Sequence, residues 1–183
     1  MRTRYHEGDS GDAGTLTGSP VARASGEPPA GRWLTEAEQR AWRAHLNLSR
    51  LLARELDRDL NAHGLNDHDY EILVELSEAP GRRLRMTELA NATSQSRSRL
   101  SHQVTRMETA GLVRRESCEG DRRGLFAVLT GPGLATIERV APHHVASVRR
   151  HFIDRLTPEQ LAVIADAYEP VVTRLRQIRT ART

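Results

Sequence analysis

From Trp33 onward the apolar residues of this chain recur at helical spacing, and the rhythm breaks clearly over one stretch, residues 112–129. There Leu112-Val113-Arg114-Arg115 and Leu125-Phe126-Ala127-Val128-Leu129 read as two strands around a loop rich in charge and glycine, the pattern of a β-wing. The spacing therefore predicts a mainly α fold with a small β-wing. Composition agrees: 38% hydrophobic and 4% aromatic residues are too few for a compact β-rich enzyme. They suffice for helices that each bury one stripe and complete their cores across a dimer interface.

Residues 1–31 hold six glycines and three prolines with few large apolar groups, too little buried surface to offset ordering entropy, so a flexible tail is expected. Thr35 with Glu38 makes a capping box that opens a long helix, with Ala41, Ala44, Leu48, Leu51, Leu52, Leu56 and Leu60 on one stripe and Gly64 as its stop. A second helix is expected from an Asn66 N-cap, burying Tyr70, Leu73, Val74 and Leu76 before Ala79-Pro80-Gly81 turns the chain. A short helix over residues 86–92, the turn Thr93-Ser94-Gln95 and a helix capped by Ser96 then form a helix-turn-helix pattern. In that last helix Leu100, Val104 and Met107 face inward, leaving Ser98, Arg99, His102, Thr105 and Arg106 outward. Helical period returns from Leu134 to Leu156, where Pro142 should kink or divide the helix, and Thr157-Pro158-Glu159-Gln160 restarts one with an apolar stripe from Leu161 to Ile178. These terminal helices carry more apolar surface than one small winged domain can cover, so they are expected to pack against their copies in a two-fold dimer. The implied division is a dimerisation region over 32–64 and 131–180 around a winged helix-turn-helix DNA-binding domain over 65–130.

Charge points to the same place. Residues 81–125 hold ten arginines against five acids, a net +5, while the rest of the chain sums to −2. All 27 basic residues are arginine, which suits phosphate and guanine but also follows from the codon bias of a GC-rich genome. Cys118 is the single cysteine, so no intramolecular disulfide or multi-cysteine metal site is available and a reducing compartment is expected. With no apolar run near the roughly 20 residues of a membrane span and no signal-peptide core, the expectation is a soluble cytoplasmic protein. No Gly-rich phosphate loop, catalytic triad order or paired metal ligands stand out, so neither an enzyme nor a cofactor is expected.

The run Leu89-Ala90, Ser96 to Ser101, Arg106-Met107-Glu108, Gly111-Leu112-Val113, Asp121-Arg122-Arg123 and Val128-x-Leu-Thr130 resembles the MarR family of bacterial transcriptional regulators. Thr93 and Gln95 depart from it, standing where the family more often has apolar residues in the turn. The resemblance implies a triangular homodimer whose two winged domains reach successive major grooves of a pseudo-palindromic operator. Carried over residue by residue, it places Ser96, Arg97, Ser98, Arg99, Ser101 and His102 at the major groove. Arg123 enters the minor groove, held in pose by Asp121, with Arg122 toward phosphate.

A helix N-terminus offers unpaired N–H groups to phosphate, while Arg97 and Arg99 can reach guanine O6 and N7. Arg82, Arg83, Arg106, Arg114 and Arg115 are expected at phosphates, which gives affinity and salt dependence without base choice. The expected function is a repressor on double-stranded DNA, with a nonspecific architectural DNA binder as the alternative. Blander roles stay open: the helix arginines as a solvated face, Asp121 with Arg123 as a loop-shaping ion pair, Cys118 as incidental rather than oxidant-sensing. By the resemblance, Trp42, His45 and Tyr70 border a cleft where a small aromatic ligand would bind, or they are simply core aromatics. His143 and His144 lack partners at metal-ligand spacing and read as surface or interface residues.

Overall fold

The computed structural model describes residues 33–118 and 121–180, without the side chains of 121–123 and 180. The expected N-terminal tail lies outside the described residues. Contacts divide the chain after Gln39. In the first unit Thr35 closes its capping box: its N–H donates to Glu38 Oε2 at 2.7 Å, and its Oγ1 accepts from the Glu38 N–H at 3.3 Å.

In the second unit the chain is mainly helical. α1 (Glu36–Asn61) runs into it, followed by α2 (Asp67–Glu78), a 3₁₀ turn at Pro80–Arg82, β1 (Arg83–Arg85), α3 (Met86–Ala92), α4 (Arg97–Thr109), β2 (Val113–Cys118), β3 (Asp121–Leu129), α5 (Gly131–His151), a 3₁₀ turn at Ile153–Arg155 and α6 (Pro158–Thr180). The strands form one antiparallel sheet in the order β1-β3-β2.

The apolar stripes meet as the spacing demands. Leu60 of α1, Ile72, Leu73 and Leu76 of α2, Leu89 of α3, and Leu100, Val104 and Met107 of α4 share one core with Val113, Ala127 and Leu129 of the sheet and Ile137 and Val140 of α5. Each such large side chain, fully removed from water, contributes roughly 1.5–3 kcal/mol. α4 ends in a Schellman motif: the Leu112 N–H donates to Met107 O at 3.0 Å and the Gly111 N–H to Glu108 O at 2.9 Å, which needs the positive φ of 73° that Gly111 supplies. Thr130 then caps α5 by accepting from the Gly133 N–H, and its hydroxyl reaches the carbonyls of Gly111 and Leu112. A Cβ at Gly133 would lie 2.1 Å from the Leu112 carbonyl oxygen, so only glycine lets α5 start this close to the α4–β2 turn.

Three expectations are corrected. The wing has a third strand, because Arg83-Leu84-Arg85 pairs with Val128-Ala127-Phe126. A three-residue strand shows too little alternation to be read from sequence. Pro142 does not divide α5, which continues to His151. Proline's fixed φ is itself helical, and buried Ile137, Val140 and Ser147 hold the helix on both sides of the lost N–H. The helix also stops short of Leu156, and the 3₁₀ turn intervenes before the Thr157 capping box with Gln160 starts α6.

Among the described residues, no helix is long and apolar enough to cross a membrane. Among the same described residues, no group of three His, Cys, Asp or Glu side chains is placed to hold a metal ion.

Candidate nucleic-acid interface

Ser96 adopts the extended N-cap conformation and its hydroxyl accepts from the Arg99 N–H at 3.3 Å, so α4 begins where the sequence placed it. With Leu100, Val104 and Met107 buried on one stripe, Ser96, Arg97, Ser98, Arg99, Ser101 and His102 are all brought to the exposed face. The first turn of α4 has no acidic residue, so nothing there offsets the positive end of the helix dipole. The face carries donors and positive charge at the pitch of one helix, the form that enters a major groove.

Hydrogen bonds of the backbone and of Thr93 close the turn before α4, while the Gln95 side-chain amide is buried without a hydrogen-bond partner among the described residues. Buried Thr93 donates its hydroxyl to Leu89 O at 2.8 Å, the Gln95 N–H reaches Ala90 O at 3.0 Å, and Ser94 takes a positive φ of 54°. Thr93 thus replaces the expected apolar packing with a satisfied hydrogen bond.

The arginines expected at phosphate fall into two groups. Arg82 and Arg83 are exposed, and Arg83 lies 4.9 Å from the Phe126 ring centroid. Arg114 is exposed but paired with Glu116, its Nε donating to Glu116 Oε1 at 2.9 Å. Arg106 and Arg115 turn their guanidinium groups to partners within the chain. Arg106 donates to both oxygens of buried Asp69 at 2.7 and 2.8 Å. Arg115 donates to Glu108 Oε2, Ser101 O and Thr105 Oγ1, all within 2.9 Å, and ties β2 to α4. The Arg115 backbone N–H and then its guanidinium hold the Glu108 carboxyl below its ordinary value, against the opposing effect of burial.

Arg85 was missed. It sits one residue past Leu84 on β1, over the Phe126 ring, and lines a cleft of about 420 Å³ with Arg97, Ser101 and Arg115 between α4 and the wing. Its signal was the alternation Arg83-Leu84-Arg85, which puts both arginines on one side of a strand. The side chains of Asp121, Arg122 and Arg123 lie outside the described residues; their backbone opens β3, with Asp121 opposite Cys118.

The sequence profile of the MarR family matches residues 63–124, the helix-turn-helix and most of the wing. AbsC, a MarR family transcriptional regulator from Streptomyces coelicolor, is 62% identical, with a TM-score of 0.77 and a match covering 80% of this chain and 99% of AbsC. The chain belongs to the MarR family of transcriptional regulators. A second MarR family regulator from Streptomyces coelicolor, solved in complex with DNA, is 48% identical over 78% of this chain and 90% of that one, with a TM-score of 0.75. The HTH-type transcriptional regulator PecS of Dickeya dadantii is 35% identical over 104 residues, which are 56% of this chain and 62% of PecS, so the match spans under two thirds of that relative.

In this MarR family chain the three residues expected to border a ligand cleft each contact a further aromatic side chain. Trp42 stacks on His45, whose Nδ1 lies 3.0 Å from the Tyr168 hydroxyl of α6. Tyr70 packs instead on His144, with ring centroids 4.2 Å apart. His143 stacks on His63 at 4.5 Å. Cys118 is buried at the end of β2.

Proposed function

We propose that this MarR family chain acts as a homodimer that reads a pseudo-palindromic DNA operator through α4 and represses transcription there. The observation that carries the reading is the α4 face itself: a Ser96-capped helix N-terminus with Arg97 and Arg99 exposed and no acid in its first turn. Residues 65–130 then serve as the DNA-binding domain and residues 32–64 with 131–180 as the dimerisation region. The second assignment is supported by Leu48 and Leu51 of α1, Val145 of α5, and Val163, Val171, Val172 and Leu175 of α6, all large apolar groups left 40% or more exposed. A two-fold axis sets the two α4 helices about one DNA turn apart, roughly 34–36 Å. Arg97 and Arg99 read bases, Arg82, Arg83, Arg114 and Arg122 hold phosphates, and Arg123 reaches a narrow A·T-rich minor groove. A small aromatic effector would lie beside Trp42 and His45, which contact Tyr168, or beside Tyr70, which contacts His144.

Selection of duplexes from a random pool by purified protein tests the reading, and a two-fold symmetric motif is the expected product. Arg97→Ala and Arg99→Ala should each cost about 1–3 kcal/mol on the selected duplex and relax base choice. Equal affinity for selected and random duplexes would overturn sequence reading and leave a nonspecific architectural binder. With the motif across a promoter, transcript output should fall; a rise would make the protein an activator.

A further inference from the structure

Apolar packing is non-directional, so the stripe of Leu100, Val104 and Met107 holds α4 against the core without fixing its rotation closely. Directional bonds do that: Arg115 holds one flank of α4, and on the other flank the bonds converge on one carboxylate. Asp69, 2% exposed, sits in the first turn of α2. Its Oδ1 accepts from Gln103 Nε2 at 2.5 Å and from the Arg106 guanidinium at 2.7 Å. Its Oδ2 accepts from the same guanidinium at 2.8 Å and from the Asn66 N–H at 3.2 Å. Asn66 Oδ1 in turn accepts from the Asp69 N–H at 2.9 Å and from Gln103 Nε2 at 3.3 Å, so the capping box of α2 and the flank of α4 are one network.

We infer that Asp69, acting through Gln103 and Arg106, is a positioning residue for the DNA-reading face, and that Arg106 works inside this network rather than at a phosphate. Arg99, Gln103 and Arg106 follow i, i+4, i+7 spacing and share one stripe of α4. Pinning the last two to a buried carboxylate fixes the direction in which Arg99 leaves the helix. Rotation of α4 by a fraction of a turn would strip that buried carboxylate of Gln103 and Arg106 and leave it, of these partners, only the Asn66 N–H, a loss that low-dielectric surroundings penalise heavily. A recognition side chain held loosely, by even an ångström, loses base discrimination before it loses phosphate attraction.

This inference rests on the proposed operator reading, and the two fail differently. The probes are a duplex selected by the wild-type protein and a random duplex of equal length, titrated over a range of salt with folded protein verified by circular dichroism. Arg106→Gln should weaken the selected duplex by roughly 10-fold or more and the random duplex little, leaving the salt slope unchanged, whereas loss of a phosphate contact lowers that slope by about 0.9. Asp69→Asn should do the same, and the double variant should be no worse than the poorer single one. Should Asp69→Asn fail to fold, Gln103→Leu removes two hydrogen bonds and keeps the ion pair. It should narrow the preference for the selected duplex severalfold at an unchanged slope. A slope reduced by about one in Arg106→Gln, with equal losses on both duplexes, overturns the inference and makes Arg106 a phosphate contact. A wild-type protein that shows no preference between duplexes sinks the operator reading instead.

Discussion

α4 and α6 are both amphipathic helices, yet the chain treats them in opposite ways. α4 buries Leu100, Val104 and Met107 completely and is tied on one flank to Asp69 and on the other, through Glu108, to Arg115. α6 is longer, at 23 residues, and none of its described side chains is fully buried, while Val163, Val171 and Leu175 stay more than half exposed. The contrast separates what one chain completes from what, in the proposed dimer, it leaves for a second copy. The winged body closes its own core and fixes the proposed reading face; the terminal helices present an exposed apolar stripe of the kind that a second surface covers.

The sharpest way to break this contrast is to charge the stripe on α6. Val171→Asp with Leu175→Asp should dissociate the dimer, since an unpaired charge buried at an interface costs about 3–5 kcal/mol, while the melting of the winged body changes little. Sedimentation and thermal denaturation together check both halves; an unchanged mass would place the dimer surface elsewhere.

Next in size is a disturbance confined to the winged body. Gly133→Ala pushes a methyl group against the Leu112 carbonyl and should destabilise the fold by about 1–3 kcal/mol without altering subunit mass, measured by urea unfolding. Smaller still is Glu108→Gln, which weakens the tie between α4 and β2. Because the folded Glu108 carboxyl binds its proton less readily than in the unfolded chain, its contribution is present at neutral pH and lost as pH falls from about 5 toward 3. The variant should therefore show a shallower loss of stability over that range.

The mildest effect belongs to His144, whose imidazole burial holds below its ordinary value, with nearby Asp67 acting in the opposite sense. The unfolded chain protonates first, so this contribution is intact above about pH 6.5 and declines as the solution is acidified. His144→Phe should flatten the fall in melting temperature between about pH 6.5 and 5.5, and an unchanged slope would remove His144 from the account.

Local rules carried much of this fold. The Thr35, Asn66, Ser96 and Thr157 caps each stand where side chains with an acceptor oxygen precede an apolar stripe, and the inward trio of α4 follows from spacing alone. What sequence could not show depends on partners distant along the chain. β1 exists because Phe126 to Val128 waits across the sheet, and Arg106, itself exposed, bonds Asp69, 37 positions earlier. A run of arginines looks like a phosphate surface until the carboxylates that fold back onto it are placed. Arg97, Arg99 and Arg106 are all exposed, but the guanidinium groups of Arg106 and Arg115 also bond within the chain, to Asp69 and to Glu108, Ser101 and Thr105.

The central claim is that two copies of the chain present their α4 helices to one face of the double helix. Hydroxyl-radical footprinting of the complex with the selected duplex, combined with its mass, tests it most directly. Two chains per duplex, with two protected half-sites separated by about 10 base pairs, is the expected result. One chain bound, or a single continuous patch with no two-fold symmetry, would contradict it.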